Sequence, residues 1–178
     1  LKSRKILQQL MREDKDVYKI DNNVQEFYSM RCIPQIVGPV LDMLQHAEEV
    51  VSTEINSVTD NPVIDMEKGT VIHGGNFHGD YVASAIDQLK IGIVRLSMLS
   101  ERRVNFFLHS KLNKKFPPFM NLKKPGLSMG LQGLQFVATS TTAQNQTYSV
   151  PHSVHSIPTN ADNQDIVSMG TDATMIAT

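Results

Sequence analysis

The sequence predicts a mainly α-helical protein, built as a bundle of long helices with one small irregular or hairpin segment around residues 60–78. Apolar residues recur at helical spacing over residues 24–51 and over residues 81–108, a pattern typical of helices that bury one face. Residues 130–148 predict a further helix. The hairpin is predicted from short β-prone runs on both sides of Gly69.

The first elements in the chain are a helix and a connector. Residues 2–12 predict a short basic helix with Ile6, Leu7 and Leu10 on one side. Residues 13–23 are polar and charged, and predict a mobile connector.

The first long helix is predicted over residues 24–51. Pro34 and Pro39 are expected to interrupt or kink its first half, because a proline has no N–H to donate and crowds the preceding turn. The apolar positions at helical spacing are Ile36, Val37, Val40, Leu41, Leu44, Ala47 and Val51.

A turn and a small hairpin are predicted next. Asn61 precedes Pro62, which disfavours the helical backbone conformation at Asn61 and predicts a turn. The runs 63–65 and 71–72, with Gly69 between them, are consistent with two short paired strands.

The clearest helix prediction covers residues 81–108. One apolar stripe contains Val82, Ala85, Ile86, Leu89, Ile93 and Leu96, and a second contains Ile91, Val94 and Met98. Two stripes predict a helix that is apolar on most sides and packed inside a bundle.

Breaks are predicted at Pro117-Pro118 and at Pro125-Gly126. The helix over 130–148 is rich in Thr, Ser and Gln. A polar but uncharged face predicts burial against other helices with hydrogen-bonded hydroxyls, or a subunit interface. Residues 150–162 predict irregular structure, and another helix is predicted from Gln164 onward.

Composition restricts the class of protein. The net charge of -1 gives no electrostatic reason to expect nucleic acid or an anionic membrane as partner. The single cysteine, Cys32, excludes an internal disulfide framework and fits a reducing compartment, so we expect a cytoplasmic protein. The chain starts at Leu1 and stops within a predicted helix, so we expect residues 1–178 to be the central helical portion of a larger chain, truncated at both ends.

The first candidate site contains Gln25, Tyr28 and Arg31. If Tyr28 and Arg31 are helical they share a face, and Gln25 lies three residues before Tyr28. A guanidinium beside a phenol can hold a carboxylate, because its fork of N–H donors matches the two oxygens. The alternative is an Arg31 that pairs with a nearby acid at the surface.

The second candidate site is the glycine-rich segment 73–79, which contains Phe77. Three glycines beside polar and aromatic side chains favour a backbone that a ligand approaches closely. One alternative is a metal site formed by His73, His78 and Asp80. Another is a plain turn with Phe77 in the core and both histidines at the surface.

The third candidate site covers residues 160–165. Asp162 or Asn163 predicts a capped helix start, and the neutral amides of Asn163 and Gln164 would also suit recognition of a polar ring substituent. The cluster Ser100-Glu101-Arg102-Arg103 predicts a solvated face or an interface, without a chemical role.

Taken together, these segments resemble the aromatic amino-acid ammonia-lyases, the family of histidine, phenylalanine and tyrosine ammonia-lyases and related aminomutases. The resemblance runs from about Val24 to Gly170. The ordered motifs are residues 25–31, Pro34-Gln35, Glu54-Ile55-Asn56-Ser57, Asp60-Asn61-Pro62, the segment 73–79, Ser100-Glu101-Arg102, Pro117-Pro118-Phe119, Asn163-Gln164-Asp165 and Ser168-Met169-Gly170.

The resemblance implies a fumarase/aspartase-like long-helix fold and removal of ammonia from an aromatic amino acid, leaving a trans-α,β-unsaturated acid. The family's electrophile is methylidene-imidazolone (MIO), made from an internal Ala-Ser-Gly; no metal is implied. This chain contains no Ala-Ser-Gly, since Ala83-Ser84 is followed by Ala85. We expect the tripeptide and the tyrosine base upstream in a larger lyase chain, and the 178 residues alone to be inactive.

The resemblance also implies roles for residues. Arg31 would bind the substrate carboxylate, with Tyr28 beside the electrophile and Gln25 in support. Phe77 would pack against the electrophile ring, and Gln164, next to Asn163, would face the substrate side chain. The histidine-specific pattern has glutamate in place of Gln164 and histidine in place of Ile166, so this chain favours tyrosine or phenylalanine.

The alternatives are a histidine ammonia-lyase, which forms urocanate in histidine degradation, an aminomutase, and a non-catalytic helical assembly module. The resemblance further implies a homotetramer whose subunits share active sites. The helices over 81–108 and 130–148 are the expected buried surfaces, so the chain by itself is expected to expose apolar patches.

Overall fold

The computed structural model describes Lys5 and residues 25–178, and within them the protein is mainly α-helical, as predicted. The predicted helix over 2–12 and the connector over 13–23 lie outside the described residues, Lys5 apart. The elements are α1 (Tyr28–Arg31), α2 (Ile33–Ile55), β1 (Val63–Asp65), β2 (Thr70–Ile72), α3 (Asp80–Leu108), α4 (Ser110–Asn113), a 3-10 turn (Pro118–Met120), α5 (Gln132–Tyr148) and α6 (Gly170–Ala177).

The chain forms two compact units. The first unit takes the described residues up to Leu41 together with Ile93–Thr147, and the second takes Asp42–Gly92 and Tyr148–Thr178. Helices α2 and α3 therefore each supply residues to both units. Within the described part of the chain, no helix combines the length and the apolar character needed to cross a membrane.

The predicted long helix is divided at Cys32, between α1 and α2. The N–H of Cys32 still donates to the carbonyl of Tyr28 at 2.9 Å, and the carbonyl of Cys32 accepts from Ile36 at 3.0 Å. Pro34 has no N–H to donate to the turn before it, which accounts for the break. The prediction of an interruption is thus confirmed for Pro34, whereas Pro39 lies inside α2 without ending it.

The predicted hairpin is confirmed. Strands β1 and β2 pair antiparallel with Val63 opposite Ile72. Gly69 has φ of +62° in the connection, a conformation that glycine adopts without steric cost. The Asp65 carboxylate accepts hydrogen bonds from the N–H groups of Glu67 and Lys68, both at 3.0 Å, which closes the turn.

Helix α3 contains a buried ion pair in the second unit that the sequence pattern did not predict. Lys90 Nζ lies 2.7 Å from Asp87 Oδ1, and both side chains are about 5% exposed or less. Asp87 also accepts a hydrogen bond from the N–H of Ser153 at 2.8 Å, and Lys90 donates to the carbonyl of Val150 at 3.1 Å. The pair therefore fixes residues 150–153 against the helix.

In the first unit, polar side chains join α3 to α5. Ser97 and Thr142 are hydrogen-bonded at 3.0 Å, and Asn145 donates to Ser97 at 3.3 Å. These contacts confirm that part of the hydroxyl-rich face of α5 meets another helix. Helix α3 was predicted to be packed on most of its sides. This is only partly observed, since Ile91 and Ile93 are 40% and 41% exposed.

The end of α3 is shaped by one buried amide, Asn113. Its Nδ2 donates to the carbonyls of Phe106, Phe107 and His109, each at 3.0 Å, and its Oδ1 accepts from backbone N–H groups that follow. This satisfies carbonyls that a helix C-terminus leaves free.

The predicted breaks at Pro117-Pro118 and Pro125-Gly126 are confirmed, as a 3-10 turn and a turn with φ of +86° at Gly126. Glycine is required at Gly130, where φ is +56° and a methyl group would lie 2.5 Å from the carbonyl oxygen of Phe119.

The predicted helix from Gln164 is wrong, because that segment is a backbone turn. Thr159 and Gln164 exchange hydrogen bonds of 3.1 Å and 3.3 Å, and Asn160, Ala161 and Asp162 all have positive φ. Asn and Asp tolerate this conformation better than most residues, and the same residue types favour helix caps. Helix α6 begins only at Gly170.

The Asp87–Lys90 pair predicts how stability depends on pH. Burial alone would raise the pKa of Asp87, but the Lys90 ammonium and the backbone N–H groups of Ser153 and His152 outweigh it and lower the pKa from 3.8 to about 2. Because the folded pKa lies below the unfolded one, the stabilisation is complete above about pH 4 and is lost as the pH falls towards about 2.

We expect Asp87→Asn to lower the free energy of unfolding by about 3 kcal/mol at pH 7, since it leaves the Lys90 ammonium buried without a counter-charge. The difference from the unchanged protein should be smaller at pH 3, measured by urea unfolding of the gene product that contains these residues. Asp42→Asn, at an exposed position of the same unit, is the control and should change stability by less than about 0.5 kcal/mol. Equal losses for the two variants would contradict the prediction.

Candidate functional site

Tyr28 and Arg31 lie together on α1, as their spacing predicted. The guanidinium carbon of Arg31 is 4.8 Å from the centroid of the Tyr28 ring, a cation–π geometry. Both residues are exposed, Tyr28 by 69%. Within the part of the chain that the structure describes, Arg31 forms no ion pair, so the alternative of a pairing with a nearby acid is not observed there.

Gln25 does not share this helical face. Phe27 is the N-cap residue of α1, with extended backbone angles of φ -60° and ψ 154°. Gln25 therefore precedes the helix, and the spacing argument that placed it beside Tyr28 was wrong. Gln25 is exposed.

The glycine-rich segment 73–79 is held against the turn that precedes the hairpin. The N–H of Gly74 donates to the side-chain oxygen of Asn61 at 3.0 Å, and the Asn76 amide donates to the carbonyl of Val58 at 3.3 Å. The Phe77 side chain, on the far part of this segment, is 55% exposed. The alternative with Phe77 in the core is therefore wrong.

Two hydrogen bonds join this segment to residues 166–168. His78 Nε2 lies 3.1 Å from the carbonyl oxygen of Ile166, and the N–H of Gly79 donates to Ser168 Oγ at 3.1 Å. A methyl group at Gly170 would lie 3.3 Å from the carbonyl oxygen of Gly79. The two segments therefore approach closely at Gly79 and Gly170, where an added Cβ would require neighbouring atoms to shift. The predicted close approach of a ligand to this segment stays a prediction.

The junction of these segments forms one wall of a cleft in the second unit, with a volume of about 600 Å³. The cleft combines apolar side chains with hydroxyl groups, a lining suited to an amphipathic small molecule or to the side chains of another polypeptide. Its walls are Phe77, Gly79, Val82, Ser168, Gly170, Thr171, Thr174, Met175 and Thr178.

Asn163 and Gln164 lie outside the described walls of this cleft, at the turn 159–164. The backbone of Gln164 is fully paired with Thr159, and its side chain is exposed without a hydrogen bond to the described residues. Since Ile166 is bonded to His78, Gln164 is two residues from the contact with the glycine-rich segment. The structure thus places Tyr28 beside Arg31 in the first unit. In the second unit it joins the segment that contains Phe77 to the segment that follows Gln164.

The side chains of His73, His78 and Asp80, considered as metal ligands, do not form a metal site in the described part of the chain. His78 uses Nε2 for the Ile166 carbonyl, and its Nδ1 is 3.9 Å from Asp80 Oδ2. Across Lys5 and residues 25–178, no group of three or more His, Cys, Asp and Glu side chains is arranged to hold a metal ion.

The charge cluster at residues 100–103 is only partly solvated. Glu101 is 7% exposed and accepts two hydrogen bonds from the guanidinium of Arg102, one of 2.7 Å. The bond and charge of Glu101 raise the pKa of Arg102 above its ordinary value. A solvated face was therefore the wrong interpretation for Glu101.

Ser168 was given no role from the sequence, and His78 was considered only as a metal ligand. Both lie in motifs that contain glycines, His78 directly before Gly79 and Ser168 two residues before Gly170. A histidine next to Gly79 and a serine two residues before Gly170 were the available signal, but the contact between the two segments also depends on a turn at 159–164 that the sequence pattern presented as a helix.

The glycine contacts predict unequal tolerance to substitution. Gly79→Val should lower the free energy of unfolding by about 2 kcal/mol, because its side chain would overlap Ser168. Gly74→Val should change it by less than about 0.5 kcal/mol, because no described atom lies within 4 Å of the new Cβ. Thermal or urea unfolding of both variants checks this, and a larger loss for Gly74→Val would contradict it.

Known proteins that resemble this chain are aromatic amino acid lyases and aminomutases. Residues 2–177 match the family model described as aromatic amino acid lyase. A tyrosine ammonia-lyase of Cupriavidus metallidurans is 48% identical over 83% of this chain and 27% of its own length. An MIO-dependent tyrosine 2,3-aminomutase of Streptomyces globisporus is 42% identical over 94% of this chain and 31% of its own length.

A solved structure, that of the histidine ammonia-lyase of Trypanosoma cruzi, superimposes with a TM-score of 0.80 and 36% identity, covering 86% of this chain and 30% of that one. The chain spans about a third or less of the length of these relatives.

Proposed function

We propose that this chain, which belongs to the aromatic amino acid lyase family, is part of an ammonia-lyase that converts an aromatic amino acid to ammonia and a trans-α,β-unsaturated acid. The exposed Arg31 beside Tyr28 is the observation that carries the proposal. A guanidinium that lies 4.8 Å from an aromatic ring and has no carboxylate partner among the described residues is suited to take one from a ligand.

Arg31 would bind the α-carboxylate of the substrate. Its planar fork of donors forms paired hydrogen bonds with both oxygens, which fixes the direction of the Cα substituents as well as the distance. The Tyr28 ring restricts the guanidinium from one side. Binding of this kind places the amino group and the Cβ hydrogens in a defined position for elimination.

Phe77 and the glycines before it fit a flat ring as neighbour. The Phe77 side chain is more than half exposed, and no described atom lies within 4 Å of a Cβ placed at Gly74 or Gly75. We propose that MIO lies against Phe77. This group would supply an electrophilic centre that makes the amino group a better leaving group. Since the 178 residues contain no Ala-Ser-Gly, we expect the tripeptide elsewhere in the gene product and no activity from these residues alone.

Gln164 would face the substrate's aromatic ring. Its side chain is exposed and makes no hydrogen bond within the described residues. The carbonyl oxygen and the NH₂ group of its amide are therefore both available to a ligand. A neutral amide can exchange hydrogen bonds with a phenol but offers an imidazolium no charge. Tyrosine or phenylalanine is therefore the proposed substrate, and histidine is the alternative that a 36% identical histidine ammonia-lyase keeps open.

Exposed apolar surface supports assembly of several copies. On α5, Leu134 and Val137 lie three residues apart on one face and are 49% and 62% exposed, and an exposed apolar face is typical of interfaces. We propose a cytoplasmic homotetramer with active sites shared between subunits. An aminomutase would use the same residues, and a non-catalytic assembly module would use only these surfaces.

The main test is turnover by the full gene product. Incubation with tyrosine, phenylalanine and histidine, followed by absorbance of the unsaturated acid, should give product from tyrosine or phenylalanine. Analysis for β-amino acids separates an aminomutase. No product from any of the three would refute the enzymatic proposal and favour the assembly module.

Substitution of Arg31 tests its role. Arg31→Ala should lower kcat/KM about 100-fold, since a charge-assisted hydrogen-bonded contact to the carboxylate is lost. Arg31→Lys should have an intermediate effect, because lysine keeps the charge without the fork. Arg95→Ala, at an exposed position of α3, is the control. Equal effects of Arg31→Ala and Arg95→Ala would contradict the role.

Substitution of Gln164 tests the substrate assignment. Gln164→Glu should raise the ratio of kcat/KM for histidine to that for tyrosine about tenfold, because a carboxylate pairs with the charge of an imidazolium and a neutral phenol carries no such charge. Steady-state kinetics on both amino acids measure the ratio. A shift in favour of tyrosine would overturn the argument.

A further inference from the structure

The His78 side chain crosses from the glycine-rich segment to the segment that follows Gln164. Its Nε2 lies 3.1 Å from the carbonyl oxygen of Ile166. Because a carbonyl can only accept, the imidazole donates this bond, and both the imidazolium and one neutral tautomer carry the required proton. The side chain is 32% exposed, so water competes with the bond only in part.

A second bond, one residue further on, runs between the same two segments. The N–H of Gly79 donates to Ser168 Oγ at 3.1 Å, and Gly170 approaches the Gly79 carbonyl so closely that a methyl group would lie 3.3 Å from it. One hydrogen bond alone would allow the segments to rotate about it. Two neighbouring bonds with a backbone contact beside them hold both the register and the separation of the segments.

The residues on either side of these bonds have exposed side chains. Phe77 immediately precedes His78, and Gln164 is two residues before Ile166. The Gln164 backbone is also paired with Thr159. The position of Gln164 relative to Phe77 therefore depends on the turn at 159–164, on the bonds of His78 and Ser168, and on the bond from the Val167 N–H to Ser156 Oγ at 2.7 Å.

We propose that His78 is a positioning residue that, together with Ser168, sets the distance between the Phe77 ring and the Gln164 amide and thereby contributes to the choice of substrate. The proposal rests on the proposed function, in which Phe77 packs against the electrophile and Gln164 faces the substrate ring. A looser connection would let Gln164 withdraw from a ring substituent. Discrimination between substrates would then fall more than turnover.

Asp80 offers a different explanation for the same histidine. Its Oδ2 is 3.9 Å from His78 Nδ1, and Asp80 is an acidic residue in the first turn of α3, where a negative charge is favourable. If His78 served only this helix start, removal of the Asp80 charge would matter and the bond to Ile166 would not. Asp80→Asn is therefore one of the test variants.

The connection itself is tested by hydrogen–deuterium exchange on the full gene product, which needs no enzymatic activity. His78→Leu should make the amides of residues 164–168 exchange about tenfold faster, the factor expected for loss of one hydrogen bond. His78→Gln keeps a side-chain N–H donor and should restore slow exchange, and Asp80→Asn should leave it unchanged. His73→Leu removes an exposed imidazole from the same segment and is the matched control. Unchanged exchange in His78→Leu, or exchange as fast in Asp80→Asn, would overturn the proposal.

The effect on substrate choice is tested by the ratio of kcat/KM for tyrosine to that for phenylalanine. His78→Leu should move this ratio about tenfold, with a larger change in KM than in kcat, and His78→Gln should restore it. Ser168→Ala should act in the same direction, and replaces His78→Leu if that variant does not fold. If His78 had only a structural role, kcat/KM would fall equally for both substrates and their ratio would not change. That result would refute the role in specificity. If the unchanged protein turns over no substrate, the proposed function fails while the exchange experiment still decides whether the connection exists.

Discussion

The close contact of two backbone segments at Gly79 and Gly170 is the constraint on which the second unit depends. A side chain at either position would meet Ser168 or the Gly79 carbonyl at 3.3 Å, a distance that requires neighbouring atoms to shift. Because the segments meet so closely, the hydrogen bonds of His78 and Ser168 reach across them, and the exposed Phe77 lines a cleft together with residues of α6. Two family motifs about ninety residues apart thereby become one surface.

A buried pair of opposite charges has a comparable role elsewhere in the same unit. Asp87 and Lys90 connect α3 to residues 150–153 through hydrogen bonds to the backbone. A buried pair of this kind contributes little net stability compared with a well-packed apolar pair, but loss of one partner is costly. Its value here is that it specifies one position for an otherwise irregular segment, which leads directly into the turn that carries Gln164.

The sequence predicted the elements that depend on local patterns and failed where distant residues decide the structure. The periodicity of residues 81–108 and the β-prone runs around Gly69 led to a helix and a hairpin within one or two residues of those observed. Asn163 and Gln164 predicted a helix start because the residue types that cap helices also favour turns. Only the backbone pairing of Gln164 with Thr159 shows that this segment is a turn. Asp87 and Lys90 look like an exposed pair three residues apart on a helix until the loop that covers them is known.

The candidate site shows the same division. Tyr28 and Arg31 were correctly placed on one face because three residues of helix determine their separation, whereas Gln25 fell outside that helix because Phe27 is extended. The contact of the glycine-rich segment with residues 166–170 was not predictable from spacing. Proximity of that kind depends on the path of the intervening chain, which no periodicity encodes.

Three consecutive left-handed residues, Asn160, Ala161 and Asp162, have a practical consequence for altering this protein. Most side chains pay a steric penalty in that conformation, and β-branched residues pay the most. Random libraries that span the whole loop would therefore lose many members to misfolding. Variation confined to position 164, with glycine as the sole additional option at Ala161, would change the exposed side chain on an intact backbone.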